Sequence, residues 1–135
     1  MTPATPYALD IVTAVIRDAS GRMLLVRKRG TSTFMKPGGK RDAGEDDLTT
    51  LARELEEELG CRLVAAELLG HFSARAANEA GFTVQSATYL ATVEGEIAAR
   101  AEIEELIWIS PAAPGDLRLA PLLIEQVLPA LLARA

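Results

Sequence analysis

The residues of this chain best suited to chemistry are three glutamates, Glu54, Glu57 and Glu58, on one predicted helix. On a helical wheel they fall within about 100° of one another. They border the apolar stripe of this helix without being part of it. Like charges at this spacing destabilise a helix by a few tenths of a kcal/mol. A divalent cation bound between the carboxylates makes their contribution to helix stability favourable. Hard oxygen ligands in this arrangement suit Mg²⁺ or Mn²⁺.

A glycine turn precedes the acidic helix. Pro37-Gly38-Gly39 lets the backbone come close to whatever the helix holds, and a glycine carbonyl there is a further candidate oxygen ligand. Arg53 is suited to orient carboxylates, and Glu45 is one candidate for the carboxylate that it orients. Basic residues, which can bind phosphate oxygens, are frequent on both sides of this turn. They are Arg27, Lys28, Arg29, Lys36, Lys40 and Arg41.

The spacing of these residues carries a family resemblance. Residues 39–61 resemble the Nudix box: Gly, five residues, Glu, seven residues, Arg-Glu, an aliphatic residue, any residue, Glu-Glu, any residue, Gly and a hydrophobic residue. Every fixed position matches, with Leu55 and Cys61 in the two apolar positions. The preceding Pro37-Gly38 is also typical of the family. The box covers 23 residues, and the predicted order of elements fits the Nudix fold over most of the chain.

The resemblance implies that the protein hydrolyses a diphosphate bond in a nucleoside diphosphate linked to another group. It implies that Glu54, Glu57 and Glu58 are catalytic metal ligands for Mg²⁺ or Mn²⁺. The backbone carbonyl of Gly38 is the implied fourth ligand. In this chemistry the metal neutralises charge on the transferring phosphoryl group and generates a nucleophile at neutral pH.

The resemblance also assigns roles to the neighbours of these ligands. Arg53 and Glu45 would orient the metal-binding carboxylates, and Gly39 would supply the tight turn. For substrate binding we expect residues of the turn and of the basic segment around it, namely Arg29, Lys36, Gly38, Gly39 and Lys40.

The general base is left open by the box. In the family it is either a box glutamate or an acid in a loop outside the box. The candidates outside it are Glu102 and Glu105, which precede Trp108, and Glu102 is the one we assign to catalysis. The alternative is that both acids lie on a solvated strand edge.

Hydrophobic patterning predicts a layered α/β (α+β) domain, with a mixed β-sheet sandwiched between helices. Predicted strands cover residues 9–16, 23–29, 34–36, 63–72, 83–93 and 106–109, the first two forming a hairpin. The acidic helix begins at Asp46 or Asp47 and ends at Gly60. A terminal helix begins at Leu119 or Pro121. We expect a flexible tail over residues 1–7 and a single Nudix domain over 8–135.

Composition narrows the partners and the location. The chain of 135 residues is 49% hydrophobic and 24% charged, which is enough for an ordinary core. Its formal net charge of −5 argues against binding to a nucleic-acid polymer. We expect no membrane contact, because no signal peptide or long apolar run is present. With Cys61 as its one cysteine, the chain is expected in the cytoplasm.

The sequence therefore predicts a Mg-dependent Nudix pyrophosphohydrolase that acts on a small nucleotide, such as an oxidised nucleoside triphosphate. The alternatives are an ADP-ribose or nucleotide-sugar pyrophosphatase, or a non-hydrolysing Nudix-like nucleotide sensor. Family subtypes are often marked by a Pro or Tyr shortly after the box. The corresponding residues here are Ala76, Ala77, Asn78 and Glu79, so neither mark is present. The protein is expected to be a monomer or a homodimer.

Overall fold

The first strand, β1 (Ala8–Val15), is an inner strand of a four-stranded sheet. Its β-branched run favours a pleated, buried backbone. It pairs in antiparallel fashion with β3 (Gly38–Lys40) and in parallel with β5 (Thr83–Glu94). The fourth strand, β4 (Arg62–Arg75), pairs with β5 in antiparallel fashion. The sheet is therefore mixed, as predicted.

The computed structural model describes residues 8–76 and 81–134. The tail expected over residues 1–7 lies outside these ranges, as do Ala77, Asn78 and Glu79 of the subtype positions. None of the helices in the described ranges is long and apolar enough to cross a membrane.

The second sheet consists of β2 (Met23–Lys28) and β6 (Ile103–Ile109), paired in antiparallel fashion. The hairpin predicted between the first two strands is wrong as a sheet pairing. The backbone pairing between these two segments in the described residues is confined to their connecting turn, where the N–H of Leu24 donates to the carbonyl of Ile16 and Arg17 is bridged to Met23. The physical reason is that both edges of β1 are already occupied, by β3 and β5.

The acidic helix is α1 (Asp47–Leu59), and both of its predicted ends are confirmed. The side chain of Asp46 accepts a hydrogen bond from the N–H of Thr49 and caps the N-terminus. Gly60 has a left-handed backbone (φ 73°) and ends the helix. Leu51 and Leu55 are fully buried at a four-residue step, so this face anchors the helix to the sheets.

The C-terminal segment is helical but not a regular α-helix throughout. Leu123–Val127 is a π-helical turn, and α2 (Leu128–Ala133) follows it. Pro129 supplies a reason, because proline lacks an N–H and its ring crowds the carbonyl four residues earlier. The N–H of Leu128 instead bonds to the carbonyl of Leu123, five residues back.

The two helical segments cover opposite sides of the sheets. Val12 and Leu24 pack in a core cluster with α1, whereas Val15 and Leu25 pack in a second cluster with the C-terminal helix. Alternate residues of β1 and β2 thus enter different cores. The predicted fold class, a mixed sheet between helices, is confirmed.

The short strand predicted at residues 34–36 is wrong. Phe34 and Met35 make only isolated bridges, to Leu119 and Val26 respectively, and the strand that precedes the helix is β3. The two bridges tie residues 34–36 to β2 and to the start of the C-terminal helix.

We predict that Leu55→Ala lowers the free energy of unfolding by about 2–5 kcal/mol, because it leaves a cavity at a fully buried position. Urea denaturation followed by circular dichroism measures the change. Glu56→Ala is the matched control, since Glu56 is the exposed next residue of the same helix, and it should change the value by less than about 0.5 kcal/mol. Equal losses in the two variants would show that α1 is not anchored by its leucine face.

Candidate active site

A cavity of about 370 Å³ lies between β1, α1 and the C-terminal helix. One part of its wall carries the carboxylates of Glu54, Glu58 and Glu102, which we call the carboxylate cluster. The rest is mainly apolar and is called the apolar wall; it includes Leu9, Ile11, Met35, Val84, Leu122 and Leu123. The cavity therefore joins a charged region to a surface that suits an aromatic or aliphatic group.

The glycine turn lies directly against α1. The N–H of Gly38 donates to Oε1 of Glu58 at 3.2 Å. A Cβ atom on Gly38, whose φ is 143°, would lie 2.1 Å from the carbonyl oxygen of Val12. A Cβ on Gly39 would lie 2.5 Å from Cδ of Glu54. A side chain at Gly38 would overlap the backbone of β1, and one at Gly39 would displace the carboxylate of Glu54, so the two glycines permit the close approach of the backbone to the carboxylates.

Arg53 holds two box glutamates. Its Nε and Nη2 donate to the two oxygens of Glu45, each at 2.8 Å, and its Nη1 donates to Oε1 of Glu54 at 2.8 Å. Glu45 also accepts from the N–H of Asp42 and the hydroxyl of Thr50. Chiefly because of the Arg53 hydrogen bonds, the pKa of Glu45 falls to about 2. The structure thus brings Arg53 and Glu45 together in the orienting arrangement that the resemblance implied.

The prediction that all three helix glutamates border the buried face is wrong for Glu58. Glu58 is only 3% exposed, because the Gly38 turn covers that flank of α1. Burial raises the pKa of Glu58 to about 8, and the nearby charges of Glu54 and Glu102 act in the same direction. Burial also raises the pKa of Glu54, against the effect of Arg53. The side chain of Glu57 is 57% exposed.

The chemistry of the turn and helix fits a divalent cation. Glu58 is a buried carboxylate whose one direct partner among the described residues is a backbone N–H, and the glycine cradle brings Gly38 beside it. Within the described ranges no three acidic, histidine or cysteine side chains already converge as a metal site. Arg53 pairs with Glu54 at 2.8 Å and lies 3.9 Å from the carboxylate of Glu57. Residues suited to the metal are thus Glu54, Glu57, Glu58 and the Gly38 carbonyl.

The predicted substrate-binding cations divide into two groups. Lys36 and Lys40 line the cavity with Gly38 and Gly39, as expected. Arg29 is not among the described lining residues, and its guanidinium pairs with Glu104 at 3.5 Å. The structure adds a further lining residue of the basic segment, Lys28, whose ammonium lies 3.3 Å from Glu102.

Lys36 stands apart from the other cations. It is 7% exposed, and burial alone lowers the pKa of its ammonium to about 7. Sequence patterning gives no indication of this burial, since a lysine before a proline-glycine turn is ordinarily solvated.

The two candidate bases outside the box occupy different places. Glu102 precedes β6, lines the cavity and has a side chain that is 61% exposed. Glu105 lies within β6, and its carboxylate accepts a hydrogen bond from Arg27 at 3.0 Å. The structure therefore brings Glu102 to the carboxylate cluster, and Glu105 is not among the described lining residues.

A group of buried hydroxyls was missed by the sequence analysis. Thr13 lines the cavity, and its hydroxyl lies 2.8 Å from that of Ser86 and 3.2 Å from that of Thr88, which are 3.1 Å from each other. Each hydroxyl can donate to one neighbour and accept from the other, so the ring satisfies its own hydrogens. The sequence indication was the pair of hydroxyl residues Ser86 and Thr88, two positions apart on β5, together with Thr13 on β1.

Comparison with known proteins decides the family. The NUDIX domain family matches residues 9–131, most of the chain. The chain belongs to the NUDIX family. This confirms the resemblance read from residues 39–61.

Individual proteins and solved structures are also similar to this chain. The solution structure of the E. coli ORF135 protein has a TM-score of 0.76 and 28% identity, over 95% of this chain and 91% of that one. The crystal structure of a MutT NUDIX hydrolase from Burkholderia pseudomallei has a TM-score of 0.73 and 28% identity, over 89% and 98%. The 8-oxo-dGTP diphosphatase of Haemophilus influenzae is 37% identical over 68 residues. That match covers 47% of this chain and 50% of the relative, so the chain spans about half of that protein's length.

The low pKa of Glu45 in this NUDIX box predicts a pH-dependent contribution to stability. Its folded pKa of about 2 lies below the ordinary value of 4.5, so the stabilisation is present above pH 4.5 and is lost as pH falls toward 2. Glu45→Gln should therefore lower the free energy of unfolding at pH 7, and the difference from wild type at pH 3 should be less than about half as large. Urea denaturation at both pH values measures it, with Glu56→Gln as control. A difference independent of pH would contradict the Arg53–Glu45 interaction.

Proposed function

We propose that this chain is a Mg²⁺-dependent pyrophosphohydrolase that cleaves the diphosphate linkage of a nucleoside triphosphate, including oxidised forms such as 8-oxo-dGTP. The observation that carries the proposal is the contact of the glycine turn with Glu54 and Glu58 in the wall of a cavity of about 370 Å³. That volume lies within the range of about 300–1,000 Å³ typical of small-molecule sites. The name of the H. influenzae relative supports the choice of substrate class.

The metal would be held by Glu54, Glu57, Glu58 and the carbonyl of Gly38. When bound, a divalent cation supplies charge neutralisation on the phosphates and lowers the pKa of water. Arg53 keeps Glu54 oriented, because its guanidinium also grips Glu45 and cannot rotate freely. The glycine turn keeps the ligand set close to the backbone.

The substrate would lie with its phosphates at the carboxylate cluster and its base against the apolar wall. Lys28 and Lys40 line the cavity and bind phosphate oxygens. Glu102 accepts the proton of the attacking water, because it lines the same cavity and its exposed carboxylate is accessible to water. The water oxygen forms a bond to one phosphorus, and the bridging bond to the leaving phosphate breaks.

A substrate panel tests the proposed function. The purified protein is incubated with nucleoside triphosphates, 8-oxo-dGTP, ADP-ribose and a nucleotide sugar, with Mg²⁺ or Mn²⁺, and the products are separated by chromatography. Pyrophosphate or phosphate release from a triphosphate supports the proposal. Turnover confined to ADP-ribose or the nucleotide sugar would replace the substrate class. Binding without turnover of any compound would leave a non-hydrolysing nucleotide sensor.

The cytoplasmic location, the absence of a nucleic-acid partner and the monomeric or homodimeric state stay predictions.

We predict that Glu58→Gln lowers kcat by about 10²–10⁴-fold, because the amide removes a charged metal ligand from the buried flank of α1. Steady-state kinetics with saturating Mg²⁺ measures the loss, and thermal unfolding checks that the variant is folded. Glu56→Gln is the matched control, since Glu56 is exposed on the same helix and outside the described cavity lining. Wild-type activity in Glu58→Gln would mean that the metal is held elsewhere.

We predict a different outcome for the two acids outside the box. Glu102→Gln should lower kcat by about 10²-fold or more and remove the acidic limb of the pH–rate profile. Glu105→Gln should leave both unchanged, because Glu105 pairs with Arg27 outside the described cavity lining. An unchanged rate and pH profile in Glu102→Gln would place the general base inside the box.

A further inference from the structure

One cation of the cavity wall, Lys36, is buried without a partner among the described residues. Lys36 is 7% exposed and lines the cavity, and among the described residues its ammonium makes no hydrogen bond or ion pair. Within those same residues, no side-chain nitrogen or oxygen that is sealed from solvent lacks a hydrogen-bond partner. The ammonium of Lys36 is therefore not sealed, and the water it reaches is that of the cavity. An unpaired buried cation is destabilising, so its presence calls for a ligand that satisfies it.

Lys36 lies apart from the carboxylate cluster. Lys28 is paired with Glu102, whereas no carboxylate among the described residues lies within ion-pair distance of Lys36. The backbone explains this separation. Met35 is bridged to Val26 of β2, and Phe34 exchanges hydrogen bonds with Arg118 and Ala120 before the C-terminal helix. Lys36 is thus carried by the segment that borders the apolar wall.

We propose that Lys36 is a specificity-determining residue that donates a hydrogen bond to a carbonyl oxygen of the nucleobase. This inference rests on the proposed function, because it assumes that a nucleotide occupies the cavity with its phosphates at the carboxylate cluster. The substrate class that follows is a nucleoside triphosphate with an oxo-substituted base.

The chemistry of the ammonium group supports this choice. In its charged form lysine offers three donors and no acceptor, so at the position it faces it can satisfy a base carbonyl but not an exocyclic amino group. A buried donor left unpaired discriminates strongly between otherwise similar ligands. The hydroxyl of Thr13, a polar lining group on β1, is already engaged in its ring with Ser86 and Thr88. Among the described residues beside the apolar wall, Lys36 is therefore the group suited to distinguish oxo from amino substituents.

A phosphate contact is the competing role for Lys36. The phosphates must lie near the metal-binding carboxylates, where Lys28 and Lys40 already line the cavity. A neutral base suits the apolar wall better than a phosphate, because burial of an anion carries a large desolvation cost. The two roles differ in what they predict for substrates that share the same triphosphate.

The test compares two pairs of substrates that differ in one exocyclic group. ITP and ATP differ in a 6-oxo or 6-amino group, and UTP and CTP in a 4-oxo or 4-amino group. We expect wild type to have the higher kcat/KM for ITP and UTP. Lys36→Met should lower kcat/KM for these two by about 10–100-fold, mainly through KM, and change the amino partners by less than about 3-fold. Lys40→Met, the comparison variant for a phosphate contact, should lower all four by a similar factor.

Two results would overturn the proposal: equal wild-type kcat/KM within both pairs, or a uniform loss over all four substrates in Lys36→Met. Binding of IMP and AMP, measured by calorimetry, separates this inference from the proposed function, because neither contains an anhydride bond. If no triphosphate is hydrolysed but Lys36→Met abolishes a preference for IMP, the function fails and the inference stands. If no such preference exists, the inference fails whether or not triphosphates are hydrolysed.

Thermal unfolding gives an independent check on the Lys36→Met variant. Methionine replaces the ammonium with an apolar group of similar length, so the melting temperature should rise above that of wild type. A higher melting temperature together with lost base selectivity is the combination expected of a residue retained for binding. A lower melting temperature would show that the ammonium is satisfied in the folded protein and would overturn the proposal.

Discussion

The approach of the Gly38–Gly39 backbone to α1 is the constraint on which the site depends. Hydrogen atoms in place of side chains allow the turn to lie against Glu54 and against β1 at the same time. That contact covers Glu58 and removes it from water, which neither the helix nor the turn would do alone. It also fixes β3 beside β1, so the sheet and the acidic helix are joined at the point where the metal would bind.

The features that depend on neighbouring residues were predictable from sequence. Asp46 and Gly60 end α1 through local hydrogen bonding and backbone conformation, and both were identified correctly. The pairing of Arg53 with Glu45 also follows from the box, because the resemblance fixes their relative positions. The mixed sheet between helices was likewise within reach of hydrophobic patterning.

The features that were wrong or missed depend on contacts between distant segments. The predicted β1–β2 hairpin failed because β5 occupies the edge of β1, a pairing that spans most of the chain and leaves no local mark. Glu58 is covered by the Gly38 turn and Lys36 is buried in the cavity wall, and a helical wheel or a composition count represents neither. Charged residues are normally solvated, so sequence reasoning places them outside until the tertiary structure shows otherwise.

The π-helical turn has a consequence for how this protein could change during evolution. Leu122 and Leu123 of the apolar wall lie at the start of this turn, and the core contacts of Leu128 and Leu131 lie beyond it. A π turn holds one residue more than the α-helical turn it replaces, and each residue advances a helix by about 100°. A single insertion or deletion there could therefore rotate the wall of the cavity while the distal half of the helix keeps its packing. Substrate choice could diverge along this helix without any substitution in the box.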